Sequence, residues 1–526
     1  MSSRKTLIVS LLTAASMVAP TSYVLAKESK PTLLLNITVE GLNESNLDLL
    51  RDLFTKEGFN LLYDKGVAIP NVVYGPNIDA TAAISMIATG AAPTYSNIPG
   101  DTRFDAQTRE SRPILEDARR QLSPASLAVS TLSDEIRIAE GGTNNVYSLA
   151  ANPRQAVILA GHAGNAALWV NDVNGQWTSS SFYKDFPTTV TSSNFSEPLS
   201  NRLDTIRWAP ALDINAYPEI PQQKKAYPFK YSFLPNDRNR YRAFMASAKG
   251  NEEITREACS LISSLSLGKK DKLDMLSVAY TLAPYPYSKD FDSRLETLDA
   301  YVRLDRSLAA LFKAVQEKGP GMGRTVVTLV GVPAPGYGKR DDERFNIPYG
   351  QFSVGKASSL LNVYLMALHG KGEWVAGYHN GQFHLNKKLI SDRGIDLQQI
   401  RRETAEFLKK MEGVCDAYTL NDILAGNPQT EAIRRNTAVN YAGDVFVTVA
   451  PGWELITDEA AATTGRPMVS RLATSSYPAF LLIPNAEPAT ITGDIDACAI
   501  APTVARLLRI RSPNAASSSP LYIPKK

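Results

Sequence analysis

The chain has 526 residues, of which 44% are hydrophobic and 21% charged, a composition typical of a folded globular protein. Its 56 basic and 53 acidic residues leave a net charge of +3, so charge gives no argument for nucleic-acid binding. The length exceeds that of one ordinary domain, and we expect one large α/β domain with insertions, or two domains. Three cysteines exclude a multi-bridge framework and leave one disulfide or free thiols open.

The N-terminus has the layout of a signal peptide. Arg4 and Lys5 precede an apolar run, Leu7 to Val18, that is too short for an ordinary membrane span. We predict cleavage after Ala26, which removes residues 1–26, with an uncleaved anchor as the alternative. The mature chain has no further membrane-spanning stretch, and we expect it to be periplasmic or secreted.

Strands and helices alternate early and late in the chain. Pro31 to Glu40 and Val67 to Tyr74 are predicted strands, and Asp79 precedes a helix from Ala80 to Ala88. The later predicted elements are a strand at Met275–Tyr280, a helix at Leu295–Lys318, strands at Thr325–Val330 and Leu361–Leu368, a helix at Leu397–Met411, a strand at Phe480–Ile483 and a helix at Ala501–Leu508. This alternation predicts an α/β fold with a mostly parallel central sheet flanked by helices.

The middle of the chain has a different composition. Residues 101–273 are rich in Ser, Asn, Pro and aromatic residues, and Ala167 to Thr178 reads as a hairpin that turns at Asn174-Gly175. We interpret 101–273 as an inserted cap region within a domain that covers residues 27–526.

Five segments resemble the alkaline phosphatase superfamily, in the order that this superfamily has them. They read LLLNITVEG, YGPNIDATAAISMIATGAAPTYSNIPGD, RQAVILAGHAGNAALWVNDVNGQWTSSSFY, LETLDAYVRLDRSLAALF and AIAPTVARLLRI. The likeness is to exported bacterial phosphomonoesterases with a threonine nucleophile, which are related to nucleotide pyrophosphatase/phosphodiesterases. It implies the α/β fold and a catalytic site with two zinc ions.

That site would need zinc ligands and a nucleophile at defined positions. The resemblance implies an Asp at the end of the first strand, where this chain has Glu40. It places the nucleophile at Ala80, whose neighbours Asp79 and Thr81 are candidates only if the register slips by one residue. Such a slip turns a helical side chain by about 100°, so Thr81 is a poor substitute.

The downstream ligand positions are occupied by aliphatic side chains. An Asp-x-x-x-His pair is expected after the strand at 275–280, where Leu282 and Pro286 stand. An Asp-His pair is expected after the strand at 325–330, where Val332 and Pro333 stand. A late histidine is expected within 463–476, which contains none. We therefore predict that the zinc site is lost and that the chain has no cofactor.

The histidine count supports this prediction without an alignment. The chain has four histidines, at positions 162, 369, 379 and 384, and none follows a predicted core strand of the site. His379 and His384 flank the Asn380-Gly381 turn of a predicted hairpin. They are either polar hairpin residues or, with no obvious third ligand, a stray metal pair.

One anion-binding position of the superfamily is retained. Its Lys-x-Arg motif corresponds to Asn152-Pro153-Arg154 here, so the Lys is replaced and Arg154 remains. Arg154 suits oxyanion binding, and an ordinary surface arginine is the open alternative. Glu40 and Arg154 together indicate a pocket for an anion or a cation.

The sequence therefore favours a catalytically inactive relative that binds a ligand or acts as a scaffold outside the cytoplasm. Its partner would be an unknown protein or an anionic small ligand, and not a nucleic acid. The alternative is a metal-dependent phosphoric ester hydrolase, either phosphatase or phosphodiesterase, with a remodelled site around Glu40, Asp79, Thr81 and Arg154.

Overall fold

The computed structural model describes residues 30–288, 292–334, 350–450, 453–457, 468–470 and 475–524. The predicted signal peptide lies outside these residues and stays a prediction. The described strands are β1 (Leu33–Glu40), β2 (Val67–Gly75), β3 (Thr102–Asp105), β4 (Glu110–Pro113), β5 (Val146–Ala150), β6 (Ala166–Val170), β7 (Trp177–Thr178), β8 (Arg207–Trp208), β9 (Tyr231–Ser232), β10 (Asp274–Thr281), β11 (Thr325–Val332), β12 (Gly350–Ser353), β13 (Val375–His379), β14 (Gln382–Leu385), β15 (Val414–Thr419), β16 (Val445–Val449), β17 (Trp453–Thr457), β18 (Met468–Ser470), β19 (Ser475–Leu482), β20 (Ala489–Thr490) and β21 (Asp494–Asp496).

The described α-helices cover the sheets and are also numbered in chain order. They are α1 (Glu44–Leu49), α2 (Phe59–Lys65), α3 (Ala80–Thr89), α4 (Pro93–Ser96), α5 (Leu132–Ala139), α6 (Pro153–Ala160), α7 (Thr188–Ser196), α8 (Leu199–Leu203), α9 (Gln222–Ala226), α10 (Arg240–Met245), α11 (Ala248–Ser264), α12 (Arg294–Lys318), α13 (Val354–His369), α14 (Lys387–Asp392), α15 (Leu397–Leu408), α16 (Leu420–Leu424), α17 (Glu431–Arg435) and α18 (Ile500–Leu508).

The central sheet is mixed but mostly parallel. In the described part of the chain it has ten strands in the order β20-β2-β19-β11-β1-β10-β5-β6-β7, with β21 paired to β2. Strands β11, β1, β10, β5 and β6 are parallel to one another, whereas β19 is antiparallel to both β11 and β2, and β7 is antiparallel to β6. Strand β1, LLLNITVE, is buried along nearly its whole length because helices cover both faces. The predicted α/β fold with a mostly parallel sheet is confirmed.

A smaller sheet lies later in the chain. It has the order β13-β14-β16-β15 and packs with helices α13 and α15 around its own apolar core. Trp374, Phe383 and Leu361 belong to this second core, and Trp374 is fully buried. No pattern in the sequence predicted this separate core.

The predicted strand at Leu361–Leu368 is wrong, because these residues belong to helix α13. Ser353 caps this helix by accepting a hydrogen bond from the Lys356 N–H, at 3.4 Å. Ala357, Leu361 and Leu365 follow a helical spacing and face the second core. A short apolar run is compatible with either element, and the period of its buried positions decides between them.

The predicted cap region, 101–273, is only partly a cap. Its strands β5, β6 and β7 belong to the central sheet, and its helix α11 packs on α12. The predicted hairpin is present, with Val170 opposite Trp177 and Trp169 opposite Thr178. The parts of this region outside the central sheet include the ribbon β8–β9 and the short helices α7 to α10.

The three cysteines are free thiols. Burial raises the pKa of Cys498 to about 12 and that of Cys259 to about 11, whereas Cys415 is exposed. In the described residues, none of the helices combines the length and the apolar character that crossing a membrane requires.

Candidate functional site

Three central strands end side by side at one edge of the sheet. Glu40, the last residue of β1, lies in register with Thr281 of β10 and with Val332 of β11. The chain stays closely paired beyond the strands, since the Leu282 N–H donates to the Glu40 carbonyl at 2.7 Å and the Gly41 N–H donates to the Val332 carbonyl at 2.8 Å. Ligands of open α/β sheets bind at this edge.

The start of helix α3 places a second carboxylate near Glu40. Asp79 caps α3, because its Oδ1 accepts from the Ala82 N–H at 2.8 Å, and its Oδ2 accepts from the Asp101 N–H at 2.7 Å. A Cβ at Gly100 would lie 2.8 Å from Asp79 Oδ2, so glycine permits this close approach. Ala80 is the first residue of α3 and carries no reactive group.

Asp101 is the centre of the hydrogen-bond network at this site. Its Oδ1 accepts from the Thr81 hydroxyl at 2.8 Å and from the Asn152 amide at 2.9 Å. Its Oδ2 accepts from the Arg154 guanidinium in an ion pair. Burial acts to raise the pKa of Asp101, but Arg154, Asn152 and Thr81 outweigh it and hold the pKa below its ordinary value.

The other two carboxyl groups have raised pKa values. Burial raises the pKa of Glu40 to about 8, and the charges of Asp101 and Asp79 add to this effect. Burial and the charge of Asp101 raise the pKa of Asp79 to about 6. Glu40 is therefore mostly protonated at neutral pH, and Asp101 is ionised.

We expect Arg154 to stabilise the protein, because its guanidinium is the positive partner of the Asp101 carboxylate. Both side chains are partly exposed, at 25% and 30%, so we expect Arg154→Ala to lower the free energy of unfolding by roughly 2 kcal/mol. In an Asp101→Asn background the same change should cost less than half as much, since the partner charge is gone. Urea unfolding of the four proteins checks this, and equal losses in both backgrounds would show that Arg154 does not act through Asp101.

The raised pKa of Glu40 predicts a pH dependence of stability. Between a pH of about 4.5 and about 8 the folded protein keeps a proton on Glu40 that the unfolded chain has lost. The stabilisation is therefore complete below this window and is lost as the pH rises through it, with a slope of at most about 1.4 kcal/mol per pH unit.

Urea unfolding of wild type and Glu40→Gln measures this slope between pH values of about 6.5 and 8. Asp79, with a pKa of about 6, contributes to the pH dependence mainly below a pH of about 6.5. Burial lowers the pKa of His379 and His384 to about 4. These two rings make the folded protein less stable as the pH falls, and this effect also lies below a pH of about 6.5. We expect Glu40→Gln to flatten the dependence; parallel curves for the two proteins would exclude Glu40 as its source.

A cavity of about 410 Å³ opens beside Glu40. It lies at the carboxyl ends of β1, β10, β5 and β6, under helix α10, and falls in the size range of small-molecule sites. Its walls include Glu40, Gln155, Trp169, Tyr241, Thr281 and Pro286. The cavity is thus open where the superfamily resemblance implies a site.

The positions that the resemblance assigns to zinc ligands hold aliphatic side chains at this edge. Leu282 and Val332 are buried directly beside Glu40, and Pro286 lines the cavity. Together with Pro333, these side chains have no atom that binds zinc. In the described residues, no group of three or more His, Cys, Asp or Glu side chains is placed to hold a metal ion. Most of 463–476, the expected late-histidine segment, lies outside the described residues.

Two of the four histidines are not among the residues that line the cavity, and both have protein partners. His162 contacts Asp134 Oδ2 through Nδ1 and the Leu127 carbonyl through Nε2, both at 3.0 Å. His369 Nε2 lies 2.5 Å from Glu403 Oε2. These contacts account for both rings as structural groups.

The other two histidines are buried, and not exposed polar residues of the hairpin. Strands β13 and β14 pair Gly377 with His384 and His379 with Gln382, so the rings are diagonal neighbours. His379 Nε2 lies 2.9 Å from the hydroxyl of Thr102, which follows Asp101 in the chain. His384 stacks on Phe104, with ring centroids 4.1 Å apart.

Sequence reasoning found some members of this site and missed others. Glu40, Asp79, Thr81 and Arg154 were predicted and lie in one cluster. Asp101, which connects three of them, was missed, since it lies in a loop and has no local pattern. Gln155 and Thr281, which hydrogen-bond Glu40, were also missed, although Gln155 directly follows the retained Arg154.

Comparison with solved structures shows the fold. The crystal structure of wild-type alkaline phosphatase PafA superposes with a TM-score of 0.82 at 22% sequence identity, over 94% of this chain and 98% of that one. No family model matches the sequence.

Full-length sequence similarity points the same way. Together with the fold, it shows that the chain is similar to proteins of the alkaline phosphatase superfamily, as the five segments predicted. The chain is 24% identical to alkaline phosphatase PafA of Elizabethkingia meningoseptica, over 94% of each chain. It is 24% identical to alkaline phosphatase PhoV of Synechococcus elongatus, over 92% of this chain and 91% of that protein. It is also 26% identical to a protein named calcium-transporting ATPase, from Myroides odoratus, over 95% and 96%.

Proposed function

We propose that this chain is a catalytically inactive relative of the alkaline phosphatases and acts as a ligand-binding or scaffold protein outside the cytoplasm. The observation that carries this proposal is the set of side chains at the strand ends. Leu282, Pro286, Val332 and Pro333 stand where the resemblance implies zinc ligands, and none has a zinc-binding atom. Without those ligands the site does not hold the two zinc ions that the resemblance implies.

The nucleophile position supports the same proposal. Ala80 begins helix α3 and has no hydroxyl to attack phosphorus. The neighbouring Thr81 is 1% exposed and donates its proton to Asp101. Its hydroxyl is therefore engaged inside the protein and does not reach a substrate in the cavity.

The pairing of Arg154 also argues against phosphate binding. An arginine that clamps a phosphoryl group needs its donors free for the phosphate oxygens. Here Asp101 takes that place as an internal anion. A phosphate that took the Arg154 nitrogen bonded to Asp101 would have to displace that carboxylate and would face two further carboxyl groups.

The alternative is a phosphoric ester hydrolase with a remodelled site. It is favoured by full-length similarity to proteins named alkaline phosphatase and by a cavity that opens beside Glu40. In that case Glu40 and Asp79 would be the groups to hold or move a proton.

Hydrolysis of p-nitrophenyl phosphate separates the two functions. The purified mature protein is assayed with added zinc, beside Glu40→Ala and beside Glu317→Ala, which changes an exposed residue of helix α12. We expect all three to show the same background rate. A zinc-dependent rate in wild type and Glu317→Ala that is at least tenfold above Glu40→Ala would establish the hydrolase instead.

A further inference from the structure

The charges around the cavity are unbalanced towards negative. Glu40 lies on its wall, with Gln155 and Thr281 as hydrogen-bond partners, and among the described residues it has no Lys or Arg partner. Asp79 and Asp101 lie close enough that their charges act on Glu40. In the part of the chain that the structure describes, no Lys or Arg is therefore paired with Glu40.

The two arginines that the described residues place near the cavity each have an acidic partner. Arg154 donates to Asp101, and the Arg242 Nε on the cavity wall donates to Asp172 Oδ2 at 2.6 Å. Each guanidinium therefore already has a carboxylate as its counter-charge, although Arg154 Nε has no hydrogen-bond partner among the described residues. A phosphate or carboxylate ligand would add negative charge to a region that already holds an excess of it.

The remaining walls are apolar and aromatic. Trp169 and Tyr241 are both partly exposed where they line the cavity, and Met245 and Pro286 lie beside them. Aromatic ring faces attract organic cations, most strongly when the site is shielded from water. The same walls can hold the apolar body of a ligand.

We propose that this cavity binds a small organic cation, an amine or quaternary ammonium with an apolar body, whose charge pairs with Glu40. The ligand loses its hydration but gains an ion pair with Glu40, contacts with the aromatic side chains, and attraction to the nearby charges of Asp79 and Asp101. This inference rests on the proposed function, since it assigns a ligand to a site that does not hydrolyse phosphate esters. It resolves the choice between anion and cation that the sequence left open.

Three probes of one shape and different charge test it. Isothermal titration calorimetry at a pH of about 8.5, above the pKa of about 8 of Glu40, measures binding of benzylammonium, benzyl alcohol and benzyl phosphate to the mature wild-type protein. We expect benzylammonium to bind at least tenfold more tightly than benzyl alcohol, and benzyl phosphate to bind most weakly. This comparison needs no variant and so does not depend on how a variant folds.

Variants then locate the contact. Glu40→Gln keeps the shape of the side chain and removes its charge, and should weaken benzylammonium at least tenfold while changing benzyl alcohol less than about twofold. Glu317→Gln, an exposed change on helix α12, should alter neither.

Each contrary result has its own meaning. Equal binding of the ammonium and the alcohol, or binding of none of the three probes, overturns the cation assignment and leaves the loss of catalysis standing. Tightest binding of benzyl phosphate without turnover also overturns it. Binding of benzyl phosphate with release of phosphate overturns both proposals.

Discussion

Asp299→Ala is expected to lower the free energy of unfolding by about 4 kcal/mol. Asp299, on helix α12, is completely buried and accepts hydrogen bonds from four donors. They are the Trp208 indole at 2.7 Å, the Ala211 N–H at 2.6 Å, the Tyr217 hydroxyl at 2.7 Å and Arg303 Nε at 2.7 Å. Removing the carboxylate takes away the acceptor of the buried Trp208 indole and Tyr217 hydroxyl and frees segment 208–217 from the helix.

Urea unfolding measures the loss. Glu317→Ala on the same helix is the matched control, because its carboxylate is 55% exposed and lies 3.9 Å from Lys313; it should change stability by less than about 0.5 kcal/mol. A loss below about 1 kcal/mol for Asp299→Ala would mean that the four contacts do not hold this segment.

Arg401→Met, in the second core, should lower the free energy of unfolding by nearly as much as Asp299→Ala. Arg401 donates to Asp444 Oδ1 through Nε at 3.0 Å and through a terminal nitrogen at 2.6 Å. Asp444 Oδ2 also accepts from the Leu385 N–H at 2.9 Å, which connects helix α15 to strand β14. Both charged side chains are buried, so losing the cation leaves the buried carboxylate with the more distant Lys387 Nζ, 3.7 Å from Oδ1, as its cation, and should cost about 3 kcal/mol.

Two comparisons make this test specific. The exposed pair of Arg434 and Glu431 is the matched surface case, and Arg434→Met should cost less than about 1 kcal/mol. The double variant Arg401→Met with Asp444→Leu replaces the pair by apolar groups and should recover much of the stability. No recovery would show that the loss comes from packing around Arg401 and not from the lost ion pair.

The fold was largely predictable from the sequence because its elements carry local patterns. Strand β1 is a continuous apolar run, and helix α3 has an acidic cap and a glycine stop, with Gly90 at a φ of 66°. These signals do not depend on distant parts of the chain. The failure at 361–368 came from an apolar run too short to separate helix from strand without knowing which residues are buried.

The site was predictable only in part, because its connections are not local. Asp101 joins Thr81, 20 residues earlier, to Arg154, 53 residues later, and no periodicity relates these positions. The second core likewise depends on contacts between strands and helices far apart in the sequence. Burial of His379 and His384 follows from that packing and could not be read from a hairpin pattern.

We propose that this phosphatase fold lacks the metal centre that the superfamily resemblance implies. Zinc content tests it most directly: the purified mature protein is equilibrated with zinc, passed over a desalting column and measured by elemental analysis. We predict that no stoichiometric zinc stays bound, in wild type and in Glu40→Ala alike. Two zinc ions retained per chain in wild type, and lost in Glu40→Ala, would contradict the proposed loss of the metal centre.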